Sequence, residues 1–299
     1  MIKNLDRGTV SSLVKIIFPT LAGIILSTGL LAQDVDSIQY HRIAGGSVND
    51  SIFFCVSLPE SYSHSSGAYP VVYYLHGMDD YYGGILAQWM AGFLNEQARN
   101  NKIPEVIAVF PDGKEGFWGN HYGGDPALEI ELIDELIPHI NQNFSTDKHN
   151  RIIMGFSAGG FGALYFYMKY PELFNGVVSL DGSVLTWEEA LYFESERINK
   201  MTNSDSVYYY EHATPYPWVA RNRKSLIRKP APSIFIAASL FIPYHQRFLS
   251  LLENQNVAVN YIELDCNHDF SCVMSGVSQE LIDFISQILG TSKKGLDQN

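Results

Sequence analysis

Apolar residues recur along this chain in short unbroken runs that alternate with longer amphipathic segments. The inner runs, among them VVYYL, VIAVF and SIFIAA, are continuously apolar and do not alternate with polar residues. A strand of this kind is buried on both faces, which is typical of a parallel sheet covered by helices on either side. The runs predict eight strands, near 38–43, 51–58, 71–75, 106–110, 151–155, 177–181, 233–238 and 259–264.

The segments between these strands have the periodicity of helices. They predict helices near 85–100, 126–143, 160–170, 187–200, 244–254 and 276–289. Pro138 falls inside the second helix, so we expect a kink or a break there. Strands that alternate with helices imply right-handed crossovers and one doubly wound sheet, which is the α/β fold class. We assign residues 33–290 to a single domain and residues 291–299 to a frayed tail.

The segment between the sixth and seventh predicted strands is longer than a crossover needs. It forms an insertion at about 186–228 that is rich in tyrosine and tryptophan. Such an insertion would lie over the carboxyl ends of the strands, where open α/β sheets bind ligands. Two interpretations stay open: the rings form a lid or acyl pocket, or they pack a small core of the insertion itself.

Residues 1–32 have the layout of an export signal. Lys3, Arg7 and Lys15 precede an apolar run that ends at Ala32, a small residue suited to cleavage. We expect export to the periplasm or the exterior with cleavage near Ala32, and an uncleaved membrane anchor is the alternative. The net charge of −12 argues against nucleic acid and anionic membrane surfaces as partners.

The stretch RIIMGFSAGG contains the main chemical candidate of the chain. An apolar run leads into the pentapeptide Gly155-Phe156-Ser157-Ala158-Gly159 and then into a helix that begins with small residues. This is the layout of a nucleophile elbow, in which a sharp strand-to-helix turn lifts a serine hydroxyl clear of the sheet. The flanking glycines allow a close approach of helix and strand that a Cβ would block. The pattern therefore predicts Ser157 as the nucleophile of an acyl-transfer site.

A serine hydroxyl needs a base to take its proton. In hydrolases with a nucleophile elbow, the acid and the histidine follow the serine along the chain. The candidate bases are therefore His212, His245 and His268. His268 follows a predicted strand on the short loop DCNHD, so we predict it as the base. His76 precedes the serine and is expected to shape its own loop.

The acid of the triad is less well defined. It is expected just after the seventh strand, where the chain reads SLFIP and offers no carboxylate. Asp181, at the end of the sixth predicted strand, is our first candidate, although Asp-Gly is also an ordinary turn sequence. Glu188, Glu189, Glu263 and Asp265 stay open as alternatives.

Acyl transfer also needs donors that face the developing oxyanion. The backbone N–H of Ala158, directly after the nucleophile, is one, and the loop LHGM after the third strand supplies the other from Met78. Cys55 lies in an apolar run and is expected to be a buried thiol, whereas Cys266 and Cys272 are close enough to pair. A metal site formed by Cys266, His268 and Cys272 would have only three ligands, at an unfamiliar spacing. We therefore expect neither a metal nor a cofactor.

Together, the motifs VSLPESY, YPVVYYLHGMDD, VIAVFPDG, ELIPHINQNF, RIIMGFSAGGFGALYFYMKYPELFNGVVSLDGS and NHDF resemble the esterase D, or "Putative esterase", family of α/β-hydrolases. That family includes feruloyl and acetylxylan esterases, S-formylglutathione hydrolases, siderophore esterases and mycolyltransferases. The resemblance implies Ser157 as nucleophile, His268 as base, and Ala158 with Met78 as oxyanion donors. It also implies an acid after the seventh strand, and there this sequence departs from the family.

These observations predict an exported serine carboxylesterase that acts on an acyl or feruloyl ester of a polysaccharide, or on a siderophore ester. A catalytically degenerate hydrolase that binds carbohydrate is the alternative from another functional class, and an acyltransferase of the same fold is a third. Hydrolysis of S-formylglutathione is disfavoured because that substrate is cytosolic and this chain carries an export signal.

Overall fold

Eight strands form one twisted sheet in the described part of the chain. A computed structural model describes residues 38–46, 51–64, 66–114, 117–229 and 232–290, so the predicted export signal and the predicted tail lie outside it. The strand order is β1-β2-β4-β3-β5-β6-β7-β8. The strands are β1 (Ile38–Ala44), β2 (Ser51–Ser57), β3 (Tyr69–Leu75), β4 (Ile107–Pro111), β5 (Thr146–Phe156), β6 (Gly176–Leu180), β7 (Ile234–Ala238) and β8 (Asn260–Glu263).

The sheet is mostly parallel. β2 pairs antiparallel with both β1 and β4, and the strands from β4 to β8 in sheet order run parallel to one another. The predicted mostly parallel sheet is therefore confirmed, and each predicted strand has a counterpart. β5 begins five residues earlier than expected, at Thr146, which pairs with Tyr69 ahead of a register shift.

Helices cover both faces of the sheet. They are α1 (Ile85–Arg99), α2 (Leu128–Ile130), α3 (Ile137–Asn143), α4 (Ala158–Lys169), α5 (Trp187–Thr202), α6 (Ser206–Ala213), α7 (Tyr216–Arg221), α8 (Arg223–Leu226), α9 (Ile242–Asn254) and α10 (Phe270–Leu289). α1 and α10 pack on one face, whereas α3, α4 and α9 pack on the other. No helix within the described ranges has both the length and the apolar character that crossing a membrane requires.

Two helices differ from the prediction. The helix with Pro138 continues without a break, and a π-helical stretch, Glu131–Leu136, lies between α2 and α3. A π-helix has one more residue in each hydrogen-bonded turn than an α-helix. This stretch ends two residues before Pro138, which has no N–H to donate. α10 begins at Phe270, six residues before the predicted start, because the carboxylate of Asp269 accepts the N–H of Cys272 and caps the helix.

The insertion folds as four helices, α5 to α8. Its buried Ile198, Met201 and Tyr209 pack with one another and also with Ala158 and Phe161 of α4. The insertion therefore has a core of its own, and that core continues onto the first turn of the helix that follows the nucleophile. This agrees with the interpretation that the rings pack a small core, and the lid or acyl pocket stays a prediction.

Candidate active site

Ser157 lies between the last residue of β5 and the first residue of α4. Its φ of 58° and ψ of −123° form a combination that residues other than glycine rarely adopt. Its N–H donates to the carbonyl of Leu180 at 3.0 Å, and its carbonyl accepts the N–H of Phe161 at 3.1 Å. These bonds tie the sharp turn to β6 on one side and to the first turn of α4 on the other.

Close backbone packing fixes this turn. A Cβ added to Gly159 would lie less than 3.0 Å from the backbone of Leu75 and His76, and one added to Gly155 would lie that close to the backbone of Gly159. Real Cβ atoms do not approach backbone atoms this closely, so these two glycines are required for α4 to lie against β3 and β5.

The ring of His268 connects Ser157 to a carboxylate. Its Nδ1–H donates to Oδ2 of Asp181 at 2.6 Å, and its Nε2 lies 2.9 Å from Oγ of Ser157. An ionised carboxylate only accepts, so the ring proton is on Nδ1 and Nε2 is free to accept the serine proton. The structure thus brings together the predicted nucleophile, the predicted base and the first candidate for the acid.

Asp181 is fully buried beneath this ring. Burial alone would raise the pKa of its carboxyl group, but the hydrogen bonds from His268 and from the backbone and hydroxyl of Ser239 outweigh it and lower the pKa below its ordinary value. Asp181 is therefore ionised at neutral pH. Its negative charge is what an imidazole needs beside it when it gains a proton.

Ser239 occupies the position where the family resemblance implies the acid. It directly follows β7, and its side chain donates to Oδ2 of Asp181 at 2.8 Å. The carboxylate therefore comes from the end of β6, and the end of β7 contributes a hydroxyl. Sequence reasoning did not identify Ser239, because its one signal was a polar residue at the end of an apolar run.

Two of the alternative acids have other partners. Glu189 caps α5 and pairs with Arg247 at 2.7 Å, and Glu263 accepts the hydroxyl of Tyr261 at 3.1 Å. Within the described ranges, Asp181 is the one carboxylate with a hydrogen bond to the His268 ring.

The other two histidines after Ser157 also lie in different surroundings. His212 stacks on Tyr208 within α6, with ring centroids 4.3 Å apart. His245 is fully buried, and its Nδ1 bonds to the carbonyl of Phe241 at 3.0 Å.

The loop after β3 lies against the nucleophile. A Cβ on Gly77 would be 3.3 Å from the Cβ of Ser157, so the backbone that leads into Met78 approaches the serine closely. The N–H of Ala158 is the first in α4 and has no acceptor within its own helix. The two predicted oxyanion donors therefore belong to segments that adjoin Ser157.

The buried ring of His76 orients this loop. Its Nε2 accepts the N–H of Gly113 at 2.8 Å, so the ring proton is on Nδ1, which donates to the carbonyl of Gly77 at 2.8 Å. The C=O and N–H of a trans peptide point in opposite directions, so the N–H of Met78 points away from the His76 ring. His76 thus has the loop-shaping position that the sequence analysis expected.

Aromatic rings surround His268. Phe156 stacks on it with centroids 4.9 Å apart, and Phe241 meets it edge-on at 5.3 Å. Phe193, from α5 of the insertion, packs against Phe241 at 6.1 Å. The insertion therefore contacts, through Phe193, one of the two rings that pack on His268.

A charged contact joins the insertion to the loop after β3. α5 is interrupted by non-helical geometry at Glu194, and three residues later Arg197 pairs with Asp79 at 2.9 Å. Asp79 directly follows Met78. Burial raises the pKa of Glu194, the charge of Arg197 opposes this rise, and the charge of Asp79 adds to it. This contact is partly exposed, so solvent weakens it.

A disulfide encloses the loop that carries the base. Cys266 and Cys272 are bonded, with His268 between them, and Cys55 is a buried free thiol. Burial raises the pKa of the Cys55 thiol to about 12. In the described part of the chain, no group of three or more metal-ligating side chains is present.

The sequence matches a known protein family. The family model described as "Putative esterase" matches residues 45–225, more than half of the chain. The chain belongs to this esterase family. The matched residues include Ser157, Asp181 and Met78, whereas His268 and Ser239 lie beyond them.

Individual relatives match shorter segments of the chain. An esterase of Mycobacterium tuberculosis is 32% identical over 152 residues, which are 48% of this chain and 32% of that protein. An endo-1,4-beta-xylanase/feruloyl esterase of Xylanibacter ruminicola is 35% identical over 127 residues, 40% of this chain and 18% of that protein. The chain thus spans a third or less of the length of these relatives.

Solved structures share the fold. A ferulic acid esterase superposes with a TM-score of 0.69 at 20% identity, covering 84% of this chain and 98% of that one. An S-formylglutathione hydrolase from Agrobacterium tumefaciens gives 0.69 at 18% identity, covering 85% and 95%. The predicted α/β-hydrolase fold is confirmed.

Proposed function

We propose that this chain is a serine carboxylesterase that works through an acyl-enzyme. The observation that carries the proposal is the continuous hydrogen-bonded path from Ser157 through His268 to Asp181, with bonds of 2.9 Å and 2.6 Å. A nucleophile, a base and a group that orients the base are the elements that covalent acyl transfer needs.

In acylation, Nε2 of His268 takes the hydroxyl proton of Ser157 while Oγ attacks the ester carbonyl carbon. The carbonyl oxygen gains the negative charge, and the N–H groups of Met78 and Ala158 stabilise it. The imidazolium then gives its proton to the alcohol oxygen, the carbon–oxygen bond breaks, and the acyl group remains on Ser157. The ionised Asp181 stabilises the imidazolium through Nδ1–H.

In deacylation, water replaces the alcohol. Nε2 of His268 takes a proton from the water molecule, the hydroxide attacks the acyl carbonyl, and the same two N–H groups stabilise the oxyanion. The proton returns to Oγ of Ser157 as the acid leaves. Because the alcohol is replaced by water in this step, the same site would act as an acyltransferase if a sugar hydroxyl entered in place of water.

The substrate in this proposal is an acyl or feruloyl ester, carried by a polysaccharide or by a siderophore. The ring of Phe241, which meets His268 edge-on, and the ring of Phe193, which packs on Phe241, suit an aromatic acyl group. Two similar proteins are described as a feruloyl esterase and a ferulic acid esterase, which supports the feruloyl choice.

Export is part of the proposal. The basic and apolar layout of residues 1–32 predicts it, and the disulfide between Cys266 and Cys272 supports it, because disulfides persist in oxidising compartments. Expression of the full chain in a bacterial host, followed by mass measurement of the periplasmic product, would test it. A product lacking about 32 residues is expected, and an uncleaved product in the membrane fraction would contradict export.

The central test is hydrolysis of p-nitrophenyl acetate and of a panel of feruloyl and acetyl esters. Turnover should fall by about 10⁶-fold in Ser157→Ala, to the level that binding and oxyanion stabilisation alone supply. A fluorophosphonate probe should label Ser157 in the wild type and not in the variant. A wild-type protein that neither hydrolyses any ester nor reacts with the probe would instead be a binding module, and transfer of the acyl group to an added sugar would make it an acyltransferase.

A further inference from the structure

The hydroxyl of Ser239 bonds in two directions. Its Oγ–H donates to Oδ2 of Asp181 at 2.8 Å, and the same oxygen accepts the backbone N–H of His268 at 3.2 Å. A hydroxyl has one proton and two lone pairs, so one serine can make both bonds at once. Ser239 therefore touches the acid of the site and the backbone of its base.

Backbone N–H groups hold the carboxylate of Asp181 from the other side. Its backbone N–H donates to Oδ1 of Asp181 at 2.7 Å, and the N–H of Leu240 lies 3.4 Å from Oδ2. With Oδ1 held by the backbone, Oδ2 is left to face the ring of His268. The carboxylate cannot rotate about its own axis without breaking one of these bonds.

The backbone of His268 needs such support. Asn267 and His268 have φ values of 46° and 64°, in the left-handed region that residues other than glycine seldom adopt. Strained conformations of this kind persist only where the surroundings hold them. In this loop the N–H of His268 is held by the Ser239 hydroxyl, and a turn closes with a bond from the N–H of Asp269 to the carbonyl of Cys266 at 2.9 Å.

We infer that Ser239 is a positioning residue of the esterase site, whose hydroxyl sets the distance and orientation between Asp181 and the ring of His268. The inference rests on the proposed function. Ser239 bonds to neither Oγ of Ser157 nor the imidazole ring, so it acts through the other two residues. Its loss should affect the rate of proton transfer, and it should leave ground-state binding of the substrate intact.

Three substitutions separate the hydroxyl from the shape of the side chain. Threonine keeps the hydroxyl, valine has nearly the same shape as threonine without it, and alanine removes both. Ser239→Ala and Ser239→Val should each lower kcat by about 10- to 100-fold, since a hydrogen bond to a charged group is lost. KM should stay within about twofold, and Ser239→Thr should recover most of the rate.

Ser233→Ala is the matched control. Ser233 is also a buried serine beside β7, directly before the strand, and its Oγ accepts the hydroxyl of Tyr167 at 2.7 Å. Removing it deletes a bonded buried hydroxyl at the opposite end of the same strand. It should lower stability and leave kcat unchanged.

A second measurement does not depend on turnover. The short bond between Nδ1–H of His268 and Asp181 should give a far-downfield proton NMR resonance. This resonance should move upfield or vanish in Ser239→Ala and Ser239→Val, and it should remain in Ser239→Thr and Ser233→Ala. Equal rates and equal resonances in the Thr and Val variants would overturn the inference. A wild type without esterase activity would overturn the proposed function, and the resonance would still decide the role of Ser239.

Discussion

The two halves of the candidate site are held in place by different means. The nucleophile half is fixed by main-chain packing, since Gly155 and Gly159 bring α4 against β3 and β5 with no room for a Cβ. The base half is fixed by side chains that link separate segments. The hydroxyl of Ser239 bonds the loop of His268, and the disulfide between Cys266 and Cys272 closes that loop.

This difference has an energetic consequence. Main-chain packing at the elbow belongs to the core of the protein, so a change there should act on folding before it acts on chemistry. Each side-chain link in the base half is one of several, so its loss should change the rate of a protein that stays folded. The comparison therefore predicts stability defects on one side of the site and kcat defects on the other.

The largest effect on the base half is expected from Asp181→Asn. The amide NH₂ of asparagine can donate to Nδ1 of His268, which favours the tautomer with the proton on Nε2. That nitrogen could then no longer accept the proton of Ser157, so kcat should fall by about 10⁴-fold, as in other serine triads. Initial rates with p-nitrophenyl acetate measure this loss.

Asp181→Asn should remain folded, because asparagine has nearly the same shape and still accepts a hydrogen bond from Ser239. Circular dichroism and urea unfolding provide that control. A variant whose kcat is within tenfold of the wild type would show that Asp181 does not orient the base. The assignment of the acid to the end of β6 would then be wrong.

In the nucleophile half, Gly159→Ala should act on folding. The added methyl would lie less than 3.0 Å from the backbone of Leu75 and His76, so either α4 or β3 must move. A change that forces main-chain displacement in the core should cost about 4 kcal/mol or more in the free energy of unfolding, at the upper end for point substitutions. Urea unfolding of the purified protein measures it.

Gly123→Ala is the control for this substitution. Gly123 has a φ of +92°, and a Cβ there would meet nothing within 4 Å. Its cost should be limited to backbone strain of about 1–2 kcal/mol. If the two variants lose equal stability, close packing is not what makes the elbow glycine necessary.

The comparison also explains what the sequence predicts well. The strands, the helix after Ser157 and the elbow each leave a pattern within a short stretch of sequence, such as the continuous apolar runs and Gly-x-Ser-x-Gly. His268 could be predicted because it follows the last strand on a short loop. Each of these features is recognisable from the few residues around it in the sequence.

Asp181 could be predicted only as the first of several candidate acids, and Ser239 was not predicted at all. Asp181 and Ser239 are 58 residues apart and meet because β6 and β7 are neighbours in the sheet. Nothing in either local sequence distinguishes Asp181 from an Asp-Gly turn or Ser239 from a solvated strand end. The resemblance to the family directed attention to the end of β7, where the hydroxyl lies and the carboxylate does not.

The smallest expected effect on kcat comes from removing the disulfide, with Cys266→Ser and Cys272→Ser combined. The bond closes a short loop, so its loss should lower the free energy of unfolding by about 2 kcal/mol. The loop of His268 would keep its bond to Ser239 and the helix cap at Asp269. We therefore expect kcat to fall severalfold, less than for Asp181→Asn, with KM nearly unchanged.

Reduction of the wild type with dithiothreitol should reproduce this loss of rate and should not affect the double variant. Cys55 provides an internal control, because its buried thiol, with a pKa raised to about 12, should not react with Ellman's reagent until the protein unfolds. The native wild type should thus titrate no thiol, and the reduced protein should expose two. If reduction abolished activity as fully as Asp181→Asn does, the disulfide would be the main support of the base, and the hydroxyl of Ser239 would be secondary to it.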